Sequence, residues 1–201
     1  MDQISSRSLL AALAVAFPAL AGAQKLPDDC SSAAAPKQPV EASILGTKFT
    51  PKAVTWRSMG RVKTESEEYD SYRLSLMSEE GGVSAPLEVG VTVIVPKGAK
   101  IEGKVFRRLA TKDRARQPMA SKSGSEVEVQ GWSFKNRPAN ADSDHTGHLA
   151  SLRLELGQRK GDTISGNIYL CVARGQTTMF DKTPTKEESY AVGAFQARVE
   201  K

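Results

Sequence analysis

The sequence predicts an all-β protein, an antiparallel β-sandwich of about 6–8 strands with a β-barrel as the alternative. Three observations predict it. Apolar residues recur at every second position in at least six separate runs. Glycine- and proline-containing turn signals separate those runs. No long stripe with helical period competes with them.

The first 23 residues read as a targeting segment and not as part of the fold. Arg7 precedes an apolar run from Leu9 to Phe17, and Ala21-Gly22-Ala23 supplies small residues before Gln24. This is the layout of a cleaved secretory signal peptide. The largely apolar stretch from Leu9 to Ala21 is 13 residues long, against roughly 20 for a spanning helix. A lipoprotein leader places a cysteine directly after the small-residue site, but that position is Gln24 and the nearest cysteine is Cys30, so no lipid anchor is expected. The expected location is the periplasm or the extracellular space.

Residues 24–43 form a Pro/Ala-rich arm, with Pro27, Pro36, Pro39 and a Ser/Ala run but no periodicity. Residues 44–201 form a single domain, long enough for a full core. Aromatic content is 6%, so that core is expected to be mostly Val, Leu and Ile.

Within the domain, the alternating runs follow one another. Tyr72, Leu74 and Leu76 form one, and Leu87, Val89, Val91, Val93 and Val95 the next, which ends at Pro96-Lys97-Gly98. Val127 and Val129 open a third run, whose apolar parity changes at Gly131 to Trp132 and Phe134. A glycine at a change of parity predicts a β-bulge, with the alternation then continuing on the same sheet face. Leu152–Leu156 and Ile164–Val172 read as a hairpin around Arg159-Lys160-Gly161-Asp162, and Phe195, Ala197 and Val199 as the last run. The best helical candidate is a short, heavily charged helix or loop around 105–119.

Cys30 and Cys171 are the two cysteines of the chain. In an oxidising compartment they are expected to form one disulfide. Cys171 is out of step with Ile168, Leu170 and Val172, so it is expected on the outer face. The bridge would then clip the arm across that face.

Three segments carry possible chemistry. Between Lys97 and Lys122 nine basic residues meet two acidic ones, a net +7 against +5 for the whole chain. Lys104, Arg107, Arg108, Lys112, Arg114 and Arg116 are the candidate contacts for an anionic envelope component or another envelope protein, which such a field would attract. Nucleic acid is not expected, because Phe106 is the single aromatic in the stretch and offers no stacking platform. The second segment, Asp142-Ser143-Asp144-His145-Thr146-Gly147-His148, holds both histidines. Asp142, Asp144, His145 and His148 are candidate ligands for a metal ion such as zinc or copper. A calcium loop is excluded because its twelfth position is Arg153, where a bidentate Glu is required. No other cofactor is implied.

The third segment is Ser165-Gly166-Asn167-Ile168-Tyr169. This S-G-x-x-Y string resembles the short loop motif of bacterial periplasmic lysozyme inhibitors, which are also secreted β-proteins. The resemblance covers five residues. It implies an inhibitor of a cell-wall hydrolase, with Ser165 and Tyr169 entering the enzyme's cleft. The alternation instead places the string at the start of a strand.

Enzyme signatures are largely missing. The sequence has no G-x-S-x-G, H-E-x-x-H or P-loop pattern. The acidic run Glu65, Glu67, Glu68 and Asp70 reads as a solvated face beside a turn. The sequence therefore points to a non-enzymatic binding or accessory protein.

Overall fold

A computed structural model describes residues 34–63, 67–80, 85–108, 128–136, 141–143, 150–172 and 189–200, with backbone alone for 128–136, 141–143 and 150. These residues form eleven strands and no helix. The strands are β1 (Glu41–Ile44), β2 (Thr47–Phe49), β3 (Ala53–Lys63), β4 (Glu68–Met77), β5 (Leu87–Pro96) and β6 (Val105–Arg108). They continue with β7 (Glu128–Asn136), β8 (Ala141–Ser143), β9 (Ala150–Lys160), β10 (Thr163–Val172) and β11 (Ser189–Glu200).

All eleven belong to one mixed sheet, ordered β6-β9-β10-β11-β3-β4-β5-β7-β8, with β1 paired to β11 and β2 to β1. The sheet curls into a half-barrel. Sandwich and barrel both describe apolar sheet faces folded against one another, and the curled sheet does this with itself. Inner-face residues of β1, β3, β4, β5, β6, β9, β10 and β11 meet in one core. The strand count exceeds the expected range because β1, β2, β6 and β8 are three or four residues long. Strands that short carry too few positions to show period two.

The long strands follow the sequence pattern closely. Val89, Val91, Val93 and Val95 of β5 face the core, opposite Leu76, Leu74 and Tyr72 of β4. Leu152, Leu154 and Leu156 do the same on β9. The β9–β10 hairpin turns at Gly161-Asp162, where expected. The predicted bulge in β7 is present. Val129 pairs with Val93, Trp132 with Val91 and Phe134 with Val89, and the register shift falls between Gly131 and Val129. One extra residue on β7 thus keeps both apolar sets opposite the core positions of β5.

Three expectations need correction. The candidate helix or loop at 105–119 begins as strand: Val105–Arg108 is β6, paired antiparallel with β9. Phe106 supplies the reason, because it is fully buried opposite Leu154 and draws the chain into the sheet. Residues 109–119 lie outside the described residues. The arm gives way to strand at Glu41, before the expected boundary at residue 44. Finally, the sheet is not purely antiparallel. β11 and β3 pair in parallel through Arg198–Thr55, Val199–Trp56 and Glu200–Arg57.

The same β11 binds the arm. Val40 N–H donates to Ala194 O at 2.9 Å, and Ala194 N–H to Gln38 O at 2.7 Å. Gly193, between these strands, has φ +129°. A Cβ there would lie 2.6–2.8 Å from Gln38 O, Val40 Cα and Pro39 O, all backbone atoms. Only glycine permits so close an approach.

Candidate functional site

Two surfaces stand out: the basic edge of the sheet and a cleft at the mouth of the half-barrel. The edge is β6, which pairs only with β9 among the described residues. Lys104 and Arg107 are exposed, and Val105 between them is 43% exposed. Arg108 lies at an inner-face position opposite Leu152 and is half-buried. Alternation along a strand therefore divides the predicted basic cluster. Arg107 pairs in register with Arg153, whose guanidinium meets Glu155 on its own strand. Lys112, Arg114 and Arg116 lie outside the described residues.

The cleft follows from the topology. β5 and β6 are consecutive in sequence but lie on opposite sides of the sheet order. The chain between them, residues 97–104, must cross from one to the other. Ala99 and Ile101 of this strap pack on the core. Its first end is held at β4: Lys97 Nζ lies 2.7 Å from Glu68 Oε2, and Gly98 N–H donates to Asp70 Oδ2 at 2.8 Å. Its second end is held at β9, where Leu156 N–H donates to Lys104 O at 2.9 Å. The Lys97 ammonium holds the Glu68 carboxyl below its usual pKa, by hydrogen bonding first and charge second. The acidic run read as a solvated face thus supplies two anchors for the strap.

Beneath the strap lies a cleft of about 380 Å³. Ala99, Ile101, Ile164 and Val199 give it aliphatic walls, and Trp56 and Tyr72 line it with a stacked pair, centroids 5.6 Å apart and planes at 16°. Ser58, Lys100, Glu102, Arg159 and Glu200 add polar groups. Trp56 is 1% exposed, and among the described residues its indole Nε1 has no hydrogen-bond partner. An unmet buried donor of this kind costs about 1–3 kcal/mol. Burial, then the charges of Asp70 and Glu102, raises the pKa of the Tyr72 phenol.

The sequence reading missed this site. Its lining comes from β3, β4, β9, β10, β11 and the strap, so no contiguous motif marks it. The one local signal was Trp56 in step with Val54 on β3, in a chain with two tryptophans.

The remaining predicted residues fare differently. Of the candidate metal ligands, Asp142 lies on β8 in register with Lys135, whereas Asp144, His145 and His148 lie outside the described residues. Among the described residues no cluster of three His, Cys, Asp or Glu side chains is placed to hold a metal. The S-G-x-x-Y string lies within β10 and not in a loop. Gly166 sits under the Phe195 ring, where a Cβ would meet Cζ at 2.5 Å. Tyr169 is buried with Ala35 and Cys171 in a small cluster apart from the main core, and burial raises its phenol pKa. Cys171 is thus on the face away from Ile168, Leu170 and Val172, as its phase predicted. Cys30 lies outside the described residues.

Among the described residues no helix is long and apolar enough to cross a membrane. Comparison with family models, curated proteins and solved structures returns no match.

Proposed function

We propose that this chain is a secreted, non-enzymatic binding protein that recognises an anionic component of the cell envelope through its basic segment. The observation that carries this reading is the β6 edge. There Lys104 and Arg107 flank the exposed Val105. Charged residues on an edge strand also keep other strands from pairing with it, so a test must read binding and not solubility alone.

The arm fits the secreted reading. Ala35 packs against Cys171 and Tyr169, and five residues of chain reach at most about 17 Å. That reach favours a Cys30–Cys171 bridge fastening the arm to the outer face, and peptide mapping without reductant reads the pairing directly.

The binding test is charge reversal at Lys104, Arg107, Arg114 and Arg116 to Glu, read as retention on a sulfated matrix across a salt gradient. The native protein is expected to bind at low salt and elute as screening rises. The variant is expected to flow through. Equal retention of the two proteins would sink this reading.

A further inference from the structure

We propose that Arg107 of β6 and Arg153 of β9 form a subsite for one group of the anionic ligand, a singly charged tetrahedral oxoanion such as a sulfate ester or a phosphodiester. This inference rests on the anion-binding reading above and names the residues and the chemistry at its centre. Arg107 and Arg153 are register partners in the antiparallel β6–β9 pair. Residues so placed project from one face, with Cβ atoms about 4.5–5.5 Å apart. That face is the outer one, because Phe106, Leu152 and Leu154 take the inner face. Like charges directly opposite one another destabilise a sheet. An anion seated between the two guanidiniums removes that repulsion.

The neighbours set the charge and geometry of the occupant. On the outer face Arg153 has Ser151 and Glu155 on its own strand, Arg107 in register on one side and Tyr169 on the other. Glu155 is the one acid among these described neighbours, and its carboxylate accepts from Arg153 Nε at 2.5 Å. Two guanidinium charges against one carboxylate leave a single positive charge for a ligand. The terminal nitrogens of Arg153 and the Arg107 guanidinium have no partner among the described residues. They reach solvent, because the buried side-chain nitrogens without a partner among the described residues are those of Trp56 and Arg57. A planar guanidinium presents its nitrogens as a fork that fits paired oxygens, and a tetrahedral oxoanion offers oxygens to both forks. The Arg153 side chain is 17% exposed, so its charge is screened less than that of the exposed Lys104. The subsite orients one group, whereas the exposed charges around it act at longer range.

The experiment uses the full chain and three probes: a sulfated heparin hexasaccharide, vesicles of phosphatidylcholine and phosphatidylglycerol, and a galacturonate hexasaccharide. The first two separate a sulfate ester from a phosphodiester, and the third supplies carboxylates alone. Affinity is measured by titration, and arginine side-chain Nε–H resonances are followed by NMR. The native chain is expected to bind the sulfated sugar or the vesicles saturably, and the bound group to move the Arg107 and Arg153 resonances. Arg153→Lys keeps the charge and removes the fork, and it is expected to weaken binding at least tenfold. Lys104→Gln removes a charge from the exposed edge and is expected to weaken binding about twofold. Glu155→Gln keeps an acceptor for Arg153 Nε and removes the opposing charge, so it is expected to strengthen binding. Thermal melts check that each variant folds, and Arg107→Lys repeats the comparison if Arg153→Lys does not. Saturable binding that the arginine variants weaken no more than Lys104→Gln does overturns the subsite and leaves the anion-binding reading standing. Binding of none of the probes overturns both. A preference for the galacturonate sugar overturns the assignment of a tetrahedral oxoanion.

Discussion

The arm and the strap are two non-strand segments held to the same half-barrel by different forces. The arm, residues 34–40, is held by shape. Its backbone lies against Gly193, exchanges hydrogen bonds with Ala194, and seats Ala35 on Tyr169 and Cys171. The strap, residues 97–104, is held at its first end by charge, through Glu68 and Asp70 of β4. Shape complementarity is short-ranged and indifferent to salt and pH. Charge pairs on an exposed rim are screened by salt and removed by acid. The difference teaches that one attachment is permanent architecture and the other is a fastening that solution conditions can loosen.

The largest expected effect breaks the shape side. Gly193→Ala forces a Cβ into three backbone atoms at a φ that side chains avoid, so a loss of at least about 3 kcal/mol is expected. Chemical denaturation measures the loss, and limited proteolysis should find the arm newly open to cleavage. A smaller effect is expected on the charge side. Asp70→Ala removes the acceptor of Gly98 N–H and should cost about 0.5–1.5 kcal/mol, with the arm still protected from protease. If Asp70→Ala frees the arm as well, the two attachments are not independent.

The smallest effect is the pH dependence of the strap. Folding lowers the Glu68 pKa from its ordinary value of 4.5. The folded state therefore binds this proton less readily than the unfolded chain. The contribution of the Lys97 pair is complete above pH 4.5 and is lost as pH falls through the lower folded value. Hydrogen exchange at the Lys97 and Gly98 amides should accelerate on acidification or in high salt. Exchange at Val40 and Ala194 should keep its ordinary pH dependence. Glu68→Gln should make strap exchange insensitive to salt; persistent salt sensitivity would assign the effect to another pair.

A second contrast lies on the face of the sheet away from the core. Glu88 is 5% exposed, yet it meets Arg73 at 2.9 Å and Ser75 Oγ at 3.0 Å. The alternation on β5 marks residue 88 as polar-facing, but only the fold buries it. A carboxylate taken this far from water needs partners, and β4 brings two of them into register through Ser75–Gly90 and Met77–Glu88 pairing. The sequence shows the polar side chain and is silent on its burial, which depends on strands distant in the chain.

What the sequence by itself determined is everything encoded by period two within one strand. That includes the all-β class, the β9–β10 hairpin, the β5 core face, the bulge at Gly131 and the outward phase of Cys171. Each follows from side chains alternating across a strand, a local rule. Only the tertiary structure decided which strands are neighbours. It placed β11 in parallel beside β3, made β6 an edge, split Arg107 from Arg108, and carried residues 97–104 across the mouth. The cleft has one of its walls because of that crossing. Alternation reports which face a residue takes, whereas a site built from six separate segments depends on pairings between distant strands that no single strand encodes.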